Sequence, residues 1–402
     1  MYPLLNVFLW LAAVVLLPPL AVILLETWAA LLPPKREAIP TDLAGRPQCA
    51  ILVPAHDEEA VLGRTIENLL PQLAAGDRVV VIADNCTDQT AEVARSFGVT
   101  VLERNDLVRR GKGFALDHGI RWLEQSPPEV VVIVDADCVV EDGTLIQIVK
   151  KAAATGYPIQ AAYLMELPPR PGHRDRISAF AFQYKNVIRP LGLWRLGLPC
   201  QLTGTGMAFP WPQIQGAVLA HGNIVEDMQL GIDLAVAGWP AQFCPQAQVK
   251  SELPSGQKAS TTQRTRWEHG HIRTLVGQVP RLLAAALRHR RIDLLALAME
   301  LSVPPLSLLF LLWGATLVAL IGGWWMGGSA LPALVLGTAG GAVLVLIMAA
   351  WARFGRQYLP LRSLLAVPFY VLWKVPIYIA FLLRPQWTWI RTERSPIPPK
   401  GN

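Results

Sequence analysis

The sequence predicts an α/β domain, a parallel sheet covered by helices, set between membrane helices. Three observations carry this: short Val and Ile runs alternating with helical patterns, long oily stretches at both ends, and acidic residues gathered where the apolar runs stop. With 402 residues, 52% hydrophobic and 16% charged, the chain is too apolar for an ordinary soluble protein. The formal charge of +6 would suit nucleic acid, but the basic residues flank oily spans and form no stripe with interleaved aromatics. They read as topology signals, and nucleic acid is excluded as a partner. The cysteines Cys49, Cys86, Cys138, Cys200 and Cys244 are isolated, which argues against a zinc site or disulfide framework and for a reducing cytosol around the polar part.

Leu4 to Leu32 is almost continuously apolar and long enough to cross about 30 Å of hydrocarbon, and Lys35 and Arg36 directly after it predict that the next segment is cytosolic. The first strand is Ala50 to Val53, stopping at Pro54 before the polar turn "HDEE". Val61, Leu62, Ile66, Leu69 and Leu70 then recur at helical spacing. Val79 to Ile82 is the second strand, ending near Asp84, with a helix from about Thr87 that Asp88 could cap. "VTVLER" is the third strand, "GKGFALDHGIRWLEQ" the third helix and "VVVIVDADC" the fourth strand. In such sheets ligands bind outside the carboxyl ends of strands, where His56, Asp57, Asp84, Asp135 and Asp137 all fall.

Beyond the domain the oil returns at Leu301 to Ile321 and Leu331 to Trp351, with "RHRR" before and Arg353 and Arg356 after, so both basic flanks are expected in the cytosol. Leu361 to Pro385 carries Lys374 and two internal prolines, and reads as an interfacial or broken helix that leaves the basic tail "RTER" in the cytosol. Arg176 to Gly197 mixes aromatic, apolar and basic residues as an interfacial helix would. The expected organisation is a transmembrane helix at 1–33, a cytosolic domain with interfacial helices at 45–290, transmembrane and interfacial helices at 291–385, and a tail at 386–402.

The chemistry-bearing residues have two readings each. Asp135 and Asp137 repel one another unless a cation neutralises them, and a hard divalent ion with oxygen ligands does so; an acidic turn exposed to water fits equally. Glu226 and Asp227 open an amphipathic helix, where the dipole favours a carboxylate and a base is well placed; simple N-terminal helix chemistry explains them too. In "QRTRWEHG" a guanidinium can clamp a diphosphate and an indole can stack on a sugar, or both can anchor at the membrane.

The ordered set "VPAHDEE", Asp84 in "ADNCTD", "DAD", "GTG", "ED" and "QRTRW", flanked by membrane spans, resembles the membrane-bound family 2 glycosyltransferases, which have a GT-A fold. Cellulose, hyaluronan and poly-N-acetylglucosamine synthases and smaller exopolysaccharide transferases belong to that group, and the resemblance covers essentially the whole chain. It implies a nucleotide-diphosphate sugar donor, with UDP expected, held by Pro54, His56, Glu58, Asp84, Lys112, Asp135 and Arg266. It implies Mg²⁺ or Mn²⁺ on Asp137 with Asp135, a catalytic base at Asp227 with Glu226 beside it, and an acceptor near Gly204, Gly206, Gln263 and Trp267. Asp57 stands where the family usually has Asn, Ala83 replaces the first acid of a common pair, and Val225 stands where Thr is frequent. These departures touch nucleotide contacts more than the reaction. The resemblance further implies inversion, an acceptor that is lipid-linked or a polysaccharide, and membrane lipids and other polysaccharide-assembly proteins as partners at a bacterial inner membrane. A processive β-polysaccharide synthase and a non-catalytic membrane scaffold are the alternatives. A sugar-nucleotide pyrophosphorylase is disfavoured because its glycine-rich basic first turn is missing from "VPAHDEE".

Overall fold

The computed structural model describes residues 2–33, 45–220, 225–253 and 257–383. The expected tail at 386–402, and the flanking Lys35 and Arg36, lie outside the described residues. The chain divides into two compact units. One comprises the described residues of Met1–Pro34, Pro171–Leu198 and His271–Pro385, the other those of Lys35–Arg170 and Pro199–Gly270.

The second unit is built on a sheet whose strands are β1 (Cys49–Ala55), β2 (Arg78–Asp84), β3 (Thr100–Arg104), β4 (Val130–Ile133), β5 (Cys138–Val140), β6 (Ile159–Glu166), β7 (Met207–Pro210) and β8 (Gln242–Glu252). Their order is β3-β2-β1-β4-β7-β6-β8-β5. The first four strands pair in parallel, as their unbroken apolar runs predict. The expectation of a wholly parallel sheet is corrected beyond β4: β7 pairs antiparallel with β4 and with β6, and β5 antiparallel with β8, while β6 and β8 are parallel.

Local expectations also shift. β1 continues through Pro54, which pairs in register with Ile82. The missing proline N–H costs little there, because pairing with β4 ends at Leu52. The helix expected from Thr87 begins at Thr90, with Asp88 Oδ1 accepting from the Thr90 N–H at 3.0 Å. This carboxylate satisfies a backbone donor at the start of the helix.

In the first unit, the helix Tyr2–Leu31 contributes Leu9, Ala13, Leu16, Leu20 and Ile23 to an apolar cluster with Phe180, Tyr184 and Ile188. Gly192 is required at the close approach, since a Cβ there would lie 2.0 Å from the Glu26 carbonyl oxygen. Glu26 and Arg189, both buried, pair across the same contact at 2.5 Å. Arg195 donates to the Ala29 carbonyl at 2.9 Å and Arg353 to that of Leu31 at 2.5 Å, two cations on the negative end of the helix. Within the stretch Arg176 to Gly197 the helix runs as far as Arg195, with a π-helical turn at Tyr184–Ile188.

Among the described residues, four segments are long and apolar enough to cross a membrane: Asn6–Leu31, Leu306–Trp325, Leu331–Gly355 and Leu361–Leu383. Trp324 and Trp325 end the helix Leu306–Trp325. The last segment is broken into Leu361–Leu364, Val367–Trp373 and Val375–Leu383, with prolines opening the second and third pieces.

Candidate active site

The acidic pair sits in the short connection between β4 and β5. The Cys138 N–H donates to the Asp135 carbonyl at 3.1 Å, closing a tight turn. Ala136 is buried, while Asp135 and Asp137 on either side of it are half-buried. That alternation is how an oily strand can end on two carboxylates. Ligand atoms of Asp135, Asp137 and Cys138 lie within 4.8 Å of one another. Burial, and then the charges of Asp137 and Asp135, push the Cys138 thiol well up, so it stays protonated. The two carboxylates therefore form an oxygen donor set that fits a hard divalent ion.

Two further segments close on this turn. The Asp135 N–H donates to Thr205 Oγ1 at 3.1 Å, and Gln160 holds the same loop from β6, donating to the Thr205 carbonyl at 2.9 Å and accepting from the Thr203 N–H at 2.8 Å. Gly204 and Gly206 have φ of +94° and +64°, a region that disfavours side chains. A Cβ on Gly204 would lie 3.2 Å from Asp227 Oδ2 and 3.5 Å from Lys112 Nζ. The loop, the carboxylate and the ammonium therefore converge on one point.

Lys112, whose sequence context fits a solvated loop lysine nearly as well, bonds to Asp135 and donates to the Gly204 carbonyl at 2.7 Å. Burial works against its charge, but Asp135, then Glu226 and Asp227, outweigh it and hold its pKa above the ordinary value. Asp135 is raised by burial, partly opposed by Lys112 and reinforced by Asp137. Glu226 is pushed up to about 7, first by burial and then by Asp227 beside it. Glu226 and Asp227 form the first turn of the helix Glu226–Val236, as expected.

At the other end of the edge, Asp84 is neutralised by Arg104, whose guanidinium donates to Oδ1 at 2.6 Å and stacks 5.7 Å from the Phe114 ring. Asn85, at φ +53°, donates to the same oxygen at 3.0 Å. His56 Nδ1 lies 2.7 Å from the Asp84 carbonyl oxygen, which brings the "VPAHDEE" turn beside Asp84. Asp57 takes φ +52°, a conformation Asn and Asp tolerate best, and accepts from the Thr87 N–H at 2.6 Å. The Glu58 N–H donates to Thr90 Oγ1 at 2.8 Å.

Gln263, Arg266 and Trp267 are half-buried on the long helix Gln257–His289. Within this unit the long helix approaches the start of the helix Glu226–Val236 at Gly270, where a Cβ would lie 2.7 Å from Val225 Cγ1, one residue before Glu226. Arg104, Thr205 and Gln160 escape the sequence reading. For Arg104 the available signal is the basic residue ending "VTVLER", directly opposite Asp84 in the β2–β3 register.

The family model "Glycosyltransferase like family 2" matches residues 47–270. The "Probable glycosyltransferase YdaM" of Bacillus subtilis is 25% identical over 247 residues, 56% of this chain and 55% of that protein. The 4,4'-diaponeurosporenoate glycosyltransferase of Staphylococcus aureus is 34% identical over 88 residues, 22% of this chain and 23% of that protein. The chain thus spans about half the length of the first relative and under a quarter of the second. Among solved structures, the mannosyltransferase PcManGT from Pyrobaculum calidifontis, in complex with GDP-Man and Mn²⁺, aligns over 94% of this chain and 100% of that one, with a TM-score of 0.56 and 20% identity. That likeness shows a shared GT-A fold. With a family match over more than half its length, on a domain whose sheet edge gathers the motif carboxylates, this chain belongs to glycosyltransferase family 2.

Proposed function

We propose that the protein is an inverting glycosyltransferase that moves a sugar from a UDP-linked donor to a lipid-linked or polysaccharide acceptor at the cytosolic face of a bacterial inner membrane. The observation that carries this reading is the convergence of Asp227, Lys112 and Asp135 on Gly204. A base, a cation for phosphate and a metal-ligand pair at one loop are what displacement at an anomeric carbon needs.

In this reading Asp227 takes the proton from an acceptor hydroxyl as its oxygen attacks the anomeric carbon from the face opposite the diphosphate. The bond from that carbon to the diphosphate oxygen breaks and the nucleoside diphosphate leaves with the bonding pair. One in-line displacement makes a β-glycoside from an α-linked donor. Glu226, pushed up to about 7 by burial and then by Asp227, flanks the proposed base as a carboxyl close to neutrality. Asp135 and Asp137 would hold Mg²⁺ or Mn²⁺, which when bound would neutralise charge on the leaving diphosphate. Lys112 and Arg266 bind phosphate oxygens, while Asp84, held by Arg104, meets the base or ribose with Pro54, His56 and Glu58 beside it. Gly204 and Gly206 let the acceptor approach the backbone, and Gln263 and Trp267 flank it.

The membrane placement is supported by the apolar helices and by cation–aromatic pairs in the first unit. Arg174 lies 5.0 Å over Trp373, Arg353 5.2 Å over Phe354 and Arg356 5.7 Å over Trp351, an arrangement suited to the headgroup layer with Leu361, Leu365 and Phe369 exposed nearby in sequence. Membrane lipids, and other polysaccharide-assembly proteins, are the partners this implies.

The test is donor turnover by the full chain in detergent, with UDP- and GDP-sugars, Mn²⁺ or Mg²⁺, and lipid extract as acceptor. Metal-dependent release of one nucleoside diphosphate, lost in Asp227→Asn at unchanged melting temperature, supports the reading and names the donor. Full turnover by Asp227→Asn removes Asp227 as the base. Product size then separates single transfer from processive synthesis, and anomeric configuration by NMR tests inversion.

A further inference from the structure

Lys112 opens the helix Lys112–Leu123 directly after Gly111, whose φ of +122° sets the entry of the chain. Its ammonium has three donors. One goes to Asp135 and one to the Gly204 carbonyl, and the backbone segments that carry these acceptors are tied together through Thr205 and Gln160. Asp227 Oδ2 faces the same point beside Gly204. The ammonium is thus already the counter-ion of the carboxylate that the metal reading needs. A divalent cation placed on Asp135 and Asp137 meets a fixed positive charge within a few ångströms, in a half-buried setting where such repulsion is poorly screened.

We propose that Lys112 and a divalent cation compete for Asp135, so that metal binds tightly only together with a nucleoside diphosphate, whose phosphate oxygens take over the ammonium. This rests on the metal reading given above for Asp135 and Asp137. Metal and nucleotide affinities are then coupled through one side chain, and each raises the other by the same factor.

The test measures Mn²⁺ binding to the full chain in detergent by the EPR signal of free Mn²⁺, with no nucleotide, then with UDP and separately with GDP. Wild type should bind Mn²⁺ weakly alone and at least about tenfold more tightly with one of the nucleotides. Lys112→Met should bind Mn²⁺ alone at least about tenfold more tightly than wild type, and gain less than about threefold from nucleotide. Lys112→Arg, which keeps the charge, should stay within about threefold of wild type. The inference is overturned if Lys112→Met, with its thermal melt intact, binds Mn²⁺ no more tightly than wild type. It is overturned without any variant if wild type binds Mn²⁺ equally with and without either nucleotide, an outcome that leaves the metal site itself standing. Absence of Mn²⁺ binding under every condition would instead remove the metal reading, and this inference with it.

Discussion

Gly204→Ala and Gly206→Ala, two residues apart in one loop, should fail in different ways. At Gly204 the added Cβ meets a carboxylate oxygen of Asp227 at 3.2 Å, a contact relieved by a few tenths of an ångström of side-chain movement. The φ of +94° adds strain of about 1–2 kcal/mol. At Gly206 the Cβ lies 2.7 Å from Val249 Cγ2 and 3.1 Å from Ala161 Cβ, inside the sheet, where nothing is free to move. Overpacking of roughly 1–3 kcal/mol joins a similar strain. At roughly 2–4 °C per kcal/mol for a domain of this size, Gly204→Ala should lower the melting temperature by about 2–8 °C, and Gly206→Ala by about 4–20 °C. Activity per folded molecule should run the other way. Displacing the proposed base from its reacting geometry costs Gly204→Ala at least about tenfold in kcat, since a misplacement near 1 Å can cost about a hundredfold. Gly206→Ala, assayed well below its melting temperature, should keep most of its turnover. Thermal melting and donor hydrolysis on the same preparations decide it. If Gly204→Ala keeps wild-type kcat, either Asp227 is not the base or its apposition to Gly204 plays no part in the working enzyme.

Three further outcomes follow from charges that the fold has to accommodate. The Glu226 carboxyl, raised from 4.5 to about 7 by burial and Asp227, favours the folded state while protonated, and that contribution is lost as pH rises through about 7. Melting curves in EDTA should therefore find Glu226→Gln about 1–3 kcal/mol more stable than wild type at pH 8 and no more stable at pH 4.5, and a constant difference across that window would contradict the environment described. Arg104→Met leaves Asp84 without its guanidinium and should destabilise near the low end of roughly 3–5 kcal/mol, with donor KM rising about tenfold more than kcat falls and Arg104→Lys recovering part of both. Glu26→Gln breaks the buried pair with Arg189 and should cost about 3–5 kcal/mol in detergent, whereas adding Arg189→Met should recover more than half of it; an additive loss would show that the pair is not coupled.

How much of this was legible in the sequence depends on burial. β1, β2 and β4 are covered on both faces, so "CAILV", "RVVVI" and "VVVI" read as strands without ambiguity. β7 is only Met207–Pro210, too short for any period, and β8 carries glutamines, a proline and a lysine because only alternate stretches of it are buried. Neither offers the unbroken apolar run that marks a parallel strand, and the antiparallel pairings of β7 with β4 and β6 and of β5 with β8 left no comparable signal. The site divides in the same way. Carboxylates at strand ends are visible as residue types, but their counter-ions depend on register and on loop closure. Arg104 sits opposite Asp84 only because β3 pairs with β2 at that register, and Lys112 reaches Asp135 only because Gly111 turns the chain into its helix.

Those two cations explain how the acidic edge is tolerated. Arg104 ends β3 and Lys112 starts the next helix, so both belong to the single connection that leaves β3. Within it, Asp106 accepts from the N–H groups of Val108 and Arg109 at 3.0 and 2.9 Å, and its carboxyl is held down at about 2, chiefly by the hydrogen bond from the Arg109 backbone. Leu107 and Val108, at the tip of this turn, are 77% and 92% exposed, so core packing does not fix its shape. Polar bonds and the two end cations do that instead. One loop thereby sets the charge at Asp84, where the nucleotide base is proposed to bind, and at Asp135, where the metal is proposed to bind. A change that slackens the turn, such as loss of the Asp106 carboxylate, would disturb both ends at once, although Asp106 touches neither Asp84 nor Asp135 in any hydrogen bond or ion pair described above.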